Sequence, residues 1–312
     1  MNQIYMEARD AVFQELYNIA KDDPDVILLS VDTGAFLLKE FQKNLPNQFY
    51  NVGIAEQNSM SVAAGLALSG KKVFVFGIAN FVTLRCFEQL KLDICCMDLP
   101  VTVIAMGSGF MYSKDGPTHH MTDIITLTRT LPGMTVWSPS DFNCIAGVTQ
   151  KAYKSNSPNF IYMDRGPFEP LYSQEENYDK GYCQVQDGSS VTIVSTGIMT
   201  SQAIQVSKEL LSENIECKII DVYRIKPISS ESFYNSLFNS KKIITLEENV
   251  TSGGLGSLVC EVLAQKGSSI PVKMLGITDE YRTEIGDREI LRSYCGLDQN
   301  SIMKTIKKLC TD

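Results

Sequence analysis

EQNSMSVAAGLALSGKKVFVFGIA, residues 56–79, joins two unlike patterns. Residues 56–68 have the length and apolar spacing of a buried helix that opens just after Gly53, and residues 71–79 form a short β-branched run. Outward from this pair the same alternation continues. Further strand-like runs stand at DVILLSVD (25–32), PVTVIAMG (100–107), MTVWSPS (134–140) and NFIYMDR (159–165), and FEQLKLDICC (87–96) reads as a second buried helix. This rhythm predicts a parallel sheet with helices packed on its faces, in a first domain over residues 1–170.

Residues 171–190 (LYSQEENYDKGYCQVQDGSS) are polar and turn-rich and read as a linker. A second rhythm follows over residues 191–312. Its runs are SVTIVSTG (190–197), ECKIIDVY (216–223), KKIITLEE (241–248) and PVKMLGI (271–277), with a helical stretch over Thr200–Ser212, and they predict a smaller open sheet. The fold class is therefore α/β, with two open parallel or mixed sheets.

Composition narrows the function. The chain has 312 residues, of which 36 are acidic and 28 basic; a net charge of -8 gives no electrostatic footprint for nucleic acid. No stretch approaches the roughly 20 apolar residues that cross a bilayer, and no basic start precedes an apolar core, so a cytoplasmic protein with no membrane partner is expected. The nine cysteines show no CxxC spacing and read as buried free thiols. The two histidines, His119 and His120, are neighbours, which argues against a multi-histidine metal site.

Two segments can carry chemistry. In Asn51-Val52-Gly53-Ile54-Ala55-Glu56-Gln57 an acid opens an apolar helix, a place that the helix dipole alone would favour. In Lys114-Asp115-Gly116-Pro117-Thr118-His119-His120 an acid and both histidines lie within a few residues, beyond a probable parallel strand. Loops there are where open α/β sheets bind ligands, and histidine moves protons near neutral pH. The bland reading is an Asp-Gly-Pro turn with exposed imidazoles.

Together with Gly77-Ile78-Ala79-Asn80-Phe81, these segments resemble the pyrimidine domain of transketolase. The likeness continues through Trp137-Ser138-Pro139-Ser140-Asp141 and Met163-Asp164-Arg165-Gly166 to Asp221-Val222-Tyr223-Arg224-Ile225-Lys226-Pro227 and Glu247-Glu248-Asn249 with Gly253-Gly254. It implies that Glu56 is the carboxylate that hydrogen-bonds the aminopyrimidine of thiamine diphosphate, favouring the imino tautomer on which the cofactor's carbanion chemistry depends. It further implies that Phe81 stacks on the pyrimidine and that Asp32 lies near the thiazolium edge. Asp115 and His119 would contact a ketose donor, with His119 in proton transfer, and Arg165 would grip a substrate phosphate. His120 stands where the family usually has glutamine and is expected to orient its neighbours or to face solvent. The Gly253-Gly254-Leu255-Gly256 turn has the outline of an anion-binding loop but is better explained by tight helix packing.

Two phosphate-contacting positions depart from the family: Phe36 replaces a serine, and a histidine usual well before Asp115 would fall near Gly107. A Gly-Asp-Gly segment followed some thirty residues later by asparagine, which holds the cofactor diphosphate through magnesium, is not found; Gly286-Asp287-Arg288 is the nearest match. The resemblance thus implies one half of a split transketolase that transfers a two-carbon ketol unit from a ketose to an aldose. Its partner would be an N-terminal subunit carrying the diphosphate-binding domain and the Mg2+ ligands, in a two-plus-two heterotetramer. The alternatives are a 1-deoxy-xylulose-5-phosphate-synthase-like enzyme, the beta subunit of a 2-oxo-acid dehydrogenase, and a scaffold that has lost catalysis.

Overall fold

A computed structural model of the protein describes residues 8–35, 37–166, 170–173 and 176–311. Its strands are β1 (Val26–Ser30), β2 (Phe49–Asn51), β3 (Lys72–Ile78), β4 (Val101–Met106), β5 (Thr135–Trp137), β6 (Asn159–Met163), β7 (Cys183–Gln186), β8 (Val191–Ser195), β9 (Cys217–Asp221), β10 (Arg224–Lys226), β11 (Ile243–Val250) and β12 (Val272–Ile277). They form a seven-stranded sheet in the order β10-β5-β6-β4-β3-β1-β2 and a five-stranded sheet in the order β12-β11-β8-β9-β7. Among the described residues all strand pairings are parallel except β10 with β5 and β7 with β9.

The long apolar runs become the central strands. β1, β4 and β6 are buried at every residue, which follows from helices covering both faces of the larger sheet. On one face lie Ala8–Asp22 and Phe142–Lys154, with Phe13 edge-on to Phe76 at 4.7 Å between ring centroids. Against the other lies Glu56–Leu68, where Met60, Ala63, Ala64 and Ala67 are buried. The small side chains on that helix allow close approach to the sheet.

Several expectations need correction. The segment 171–190 is no bare linker: β7 lies within it, and Tyr172, Tyr178 and Tyr182 are buried. Its many polar residues hid three aromatic anchors. β10 crosses from the second half of the chain to complete the first sheet, with Arg224 opposite Trp137 and Lys226 opposite Val136. The helix read at 87–96 is present, but it is α-helical only over Phe87–Gln89 and then widens to a π-helix over Leu90–Cys95, with Cys96 N–H reaching Lys91 O at 2.9 Å. All nine thiols are free, as expected, but only Cys86, Cys95, Cys144 and Cys217 are buried, while Cys96 and Cys310 are exposed.

Buried polar groups tie the two sheets together. Asp221, at the end of β9, accepts from Ser140 Oγ at 2.5 Å, Tyr172 OH at 2.6 Å and Thr200 Oγ1 at 2.7 Å. Burial nonetheless pushes its carboxyl up to about 6. Glu248, on β11, accepts from Arg288 Nε at 3.0 Å and from Arg292 Nε and Nη2 at 3.1 Å. Arg288 also pairs with Asp164, just beyond β6. The Glu248 carboxyl would be raised by burial, but Arg288 and then Arg292 outweigh that and hold it at about 2.

That balance predicts both a mutational and a pH effect. Glu248→Gln should cost about 3–5 kcal/mol at neutral pH, because two largely buried guanidinium groups lose their anion. Because the folded value lies below the ordinary 4.5, the wild-type contribution is complete above pH 4.5 and is lost as pH falls towards 2. Urea melts of both proteins from pH 7 to pH 3 should therefore converge on the acid side. A constant gap would refute the assignment.

Candidate active site

Because β6, β4, β3, β1 and β2 are adjacent and parallel, their carboxyl ends open on one edge of the sheet. Each strand delivers a predicted residue there: Asp32 after β1, Glu56 after β2, Phe81 after β3, Asp115 and His119 after β4, and Arg165 after β6. This is where open α/β sheets present their ligand-binding loops.

Glu56 is the first residue of its helix and is 5% exposed. Asn51, the last residue of β2, sets the chain into it. The Asn51 Oδ1 accepts from Gly53 N–H at 3.0 Å and Asp32 N–H at 3.2 Å, and its Nδ2 donates to Asp32 Oδ1 at 3.1 Å. Asp32 has φ of 56°, a left-handed conformation that aspartate tolerates better than most residues and that the Asn51 side chain holds in place. Its side chain is exposed.

Phe81 stands in the helical turn that follows β3, and His119 meets it edge-on at 5.1 Å. His119 is fixed from three sides: its N–H donates to Gly116 O at 2.9 Å, its Nδ1 lies 3.0 Å from Thr118 Oγ1, and Tyr112 stands 6.0 Å away. Asn80 Nδ2 donates to Thr118 O and ties this loop to the β3 turn, while Thr118 Oγ1 donates to Asp115 O at 3.3 Å. Asn80, Phe81, Thr118 and His119 therefore form one connected group, with Asp115 exposed at its rim. Arg165 is exposed, and its charge bears on the Tyr112 hydroxyl.

His120 does not face solvent. It is buried against Phe110 at 5.2 Å, and its Nε2 lies 3.3 Å from Ser113 O, so a proton on Nε2 completes that hydrogen bond. Burial lowers its pKa. Of the two expectations for His120 the structure gives the first, a brace within the loop. At Gly107 the backbone has φ of 109°, and an added Cβ would stand 2.3 Å from the Tyr112 ring. The ring thus excludes a histidine there as packed. Phe36 lies outside the described residues.

The Gly253-Gly254-Leu255-Gly256 turn is already filled by a side-chain carboxyl group. Glu247 accepts from Leu255 N–H at 2.7 Å and Gly256 N–H at 2.8 Å at the head of helix Leu255–Gln265, and a Cβ on Gly254 would stand 2.1 Å from that carboxylate. Burial raises the Glu247 carboxyl to about 8.

Arg85 was not foreseen. Its guanidinium carbon lies 4.0 Å from the Phe81 ring centroid, and its Nη1 donates to Glu56 Oε1 at 3.2 Å. The i,i+4 spacing from Phe81 is the one sequence signal that could have found it. Behind it Cys86 is buried, and burial, reinforced by the Glu56 charge, pushes its thiol up to about 12.

Residues 5–169 match the family model for the transketolase pyrimidine binding domain, and residues 181–302 match that for the transketolase C-terminal domain. The chain belongs to the transketolase family. It is 33% identical to one subunit of the apulose-4-phosphate transketolase of Phocaeicola vulgatus, over 95% of each chain. It is 34% identical to 1-deoxy-D-xylulose-5-phosphate synthase 2 of Geobacter sulfurreducens over 95% of this chain but only 48% of that one. Among solved structures it superposes on a split gene transketolase, described as an inactive beta4 tetramer, with a TM-score of 0.86, 31% identity and 98% coverage of both chains. Transketolase-type subunits are ketol transferases, and this chain is one of them.

Different losses are expected for the two histidines. In the assembled enzyme, His119→Asn should lower kcat about 10²–10⁴-fold with the melting temperature unchanged. His120→Leu should instead cost about 1–3 kcal/mol of stability, by leaving the Ser113 carbonyl without its donor. Calorimetry on both variants, set beside their turnover, checks the division of labour.

Proposed function

We propose that this chain is the pyrimidine-activating subunit of a two-subunit, thiamine-diphosphate-dependent transketolase, and that an N-terminal-type subunit supplies the diphosphate and Mg2+ ligands. The observation that carries the reading is that one guanidinium, that of Arg85, touches both the buried carboxylate of Glu56 and the face of the Phe81 ring, on an edge where five strands end together. A carboxylate and an aromatic face within reach of one planar group suit an aminopyrimidine, with a ring nitrogen for the acid and a plane for the phenyl. When bound, thiamine diphosphate supplies the nucleophilic carbon that takes up and passes on the two-carbon unit.

The roles of the residues follow their positions. Glu56 holds the ring nitrogen, Phe81 supports the ring plane, and Asp32 borders the thiazolium side from the neighbouring strand end. Asp115 and His119 meet the donor hydroxyls, where His119, braced by Thr118 and Tyr112, moves a proton as the C2–C3 bond breaks. Arg165 takes the distal anionic group of the sugar, a reading supported by the phosphorylated sugar in the name of the Phocaeicola relative. We divide the chain into a pyrimidine-binding domain (1–170), a connecting segment (171–190) that carries β7, and a C-terminal domain (191–312). We place it in the cytoplasm, since nine unpaired thiols fit a reducing compartment.

A two-plus-two assembly with the partner is the arrangement we favour. The inactive tetramer named for the solved split-gene relative supports the view that such chains can assemble without their catalytic complement. Mixing the purified chain with its co-purifying partner, thiamine diphosphate and Mg2+ should give activity that Glu56→Gln abolishes while leaving the melting temperature intact. A ketose donor with an aldose acceptor should turn over, whereas pyruvate should not. Turnover of pyruvate instead would favour the deoxyxylulose-phosphate-synthase reading, which the 34% identical relative keeps in view. Wild-type activity in Glu56→Gln would end the cofactor assignment.

A further inference from the structure

Arg85 lies over the face of Phe81 at 4.0 Å and holds Glu56 Oε1 at 3.2 Å, the two groups assigned above to the pyrimidine. Its own side chain is 51% exposed, against 6% for that of Glu56. We propose that Arg85 is a placeholder: it occupies the pyrimidine's position in the cofactor-free chain and must swing outward before the ring can enter. The inference rests on the proposed function of Glu56 and Phe81.

Three observations favour a displaceable group over a permanent part of the site. The guanidinium and an aminopyrimidine are both planar donors that stack on a phenyl ring and hydrogen-bond a carboxylate, so one can mimic the other. Arg85 belongs to the short turn after Ala79–Thr83, and its exposed stem leaves it room to rotate without disturbing the core. Without it, a buried carboxylate and an aromatic face would stand unpartnered on the open edge, a costly arrangement until the cofactor arrives. Placeholder pairing keeps the half-site satisfied.

The Arg85 side chain is half exposed, which leaves both of its contacts weaker than those of a fully buried pair. Removing the competitor should tighten pyrimidine binding about tenfold, or ~1.4 kcal/mol. The test titrates the full chain, by NMR and calorimetry, with thiamine and with 4-amino-5-hydroxymethyl-2-methylpyrimidine. Arg85→Ala and Arg85→Gln are compared with wild type, and circular dichroism checks folding. Tighter binding by both variants, reversed when Glu56→Gln is added, is the expected result. Unchanged or weaker binding in the Arg85 variants, or binding by none of the proteins, overturns the proposal; weaker binding would make Arg85 a ligand of the ring. If the Arg85 variants bind more tightly but Glu56→Gln makes no difference, the assignment of Glu56 fails instead.

Discussion

The Glu248 carboxylate, clasped by Arg288 and Arg292, is the contact on which the site geometry depends. It stands where the second sheet meets the loop leaving the first, and Gly109 packs so closely on it that a Cβ there would lie 2.7 Å from Glu248 Cγ. Arg288 reaches across to Asp164 and to Ser108 O, so the same charge cluster holds the ends of β4 and β6. Gly109 pairs with Met121, closing the loop that carries Asp115 and His119 into a hairpin-like bulge. Placement of the candidate site residues in the first half of the chain is therefore enforced from the second half. Residues that carry no candidate role of their own still shape that edge, through position.

The parallel sheet supplies the rest. A parallel arrangement gathers the carboxyl ends of its strands on one side, so residues far apart in the chain, such as Phe81 and His119, meet without any special loop. Each site residue needs only to stand in the segment that follows its strand. Glu56 gains further from the helix it opens, whose dipole favours a negative charge at that end. Asn51 couples this turn to Asp32, so two neighbouring strand ends share one rigid brace.

How much was legible depended on whether a feature was local. The runs that became β1, β3, β4, β6, β8, β9 and β11 announced themselves because burial on both faces demands continuous apolar residues; those that became β5 and β12 were also read, although β12 has Lys273 and Met274 exposed. β7 and β10 did not announce themselves: Arg224–Lys226 is three residues long, and Cys183–Gln186 is held by pairing with β9, not by its own pattern. Among the candidate site residues, Glu56, Phe81, Asp115 and His119 were singled out because a family resemblance marks them in short motifs. Arg85 escaped because its meaning lies in a contact with a residue 29 positions away. Glu247 looked like part of a motif, while its actual task, capping a helix, appears only once the chain turns back on itself.

β10 has a consequence for how the chain reaches its native state. Until residues 224–226 emerge from the ribosome, the β5 edge of the larger sheet has no strand to cover it, although the five strands inward from β5 have long been synthesised. An uncovered edge is a template for pairing with another chain. The nascent first half therefore passes through an interval in which chaperone capture competes with self-association, and a gene truncated near residue 170 would fix the product permanently in that exposed state.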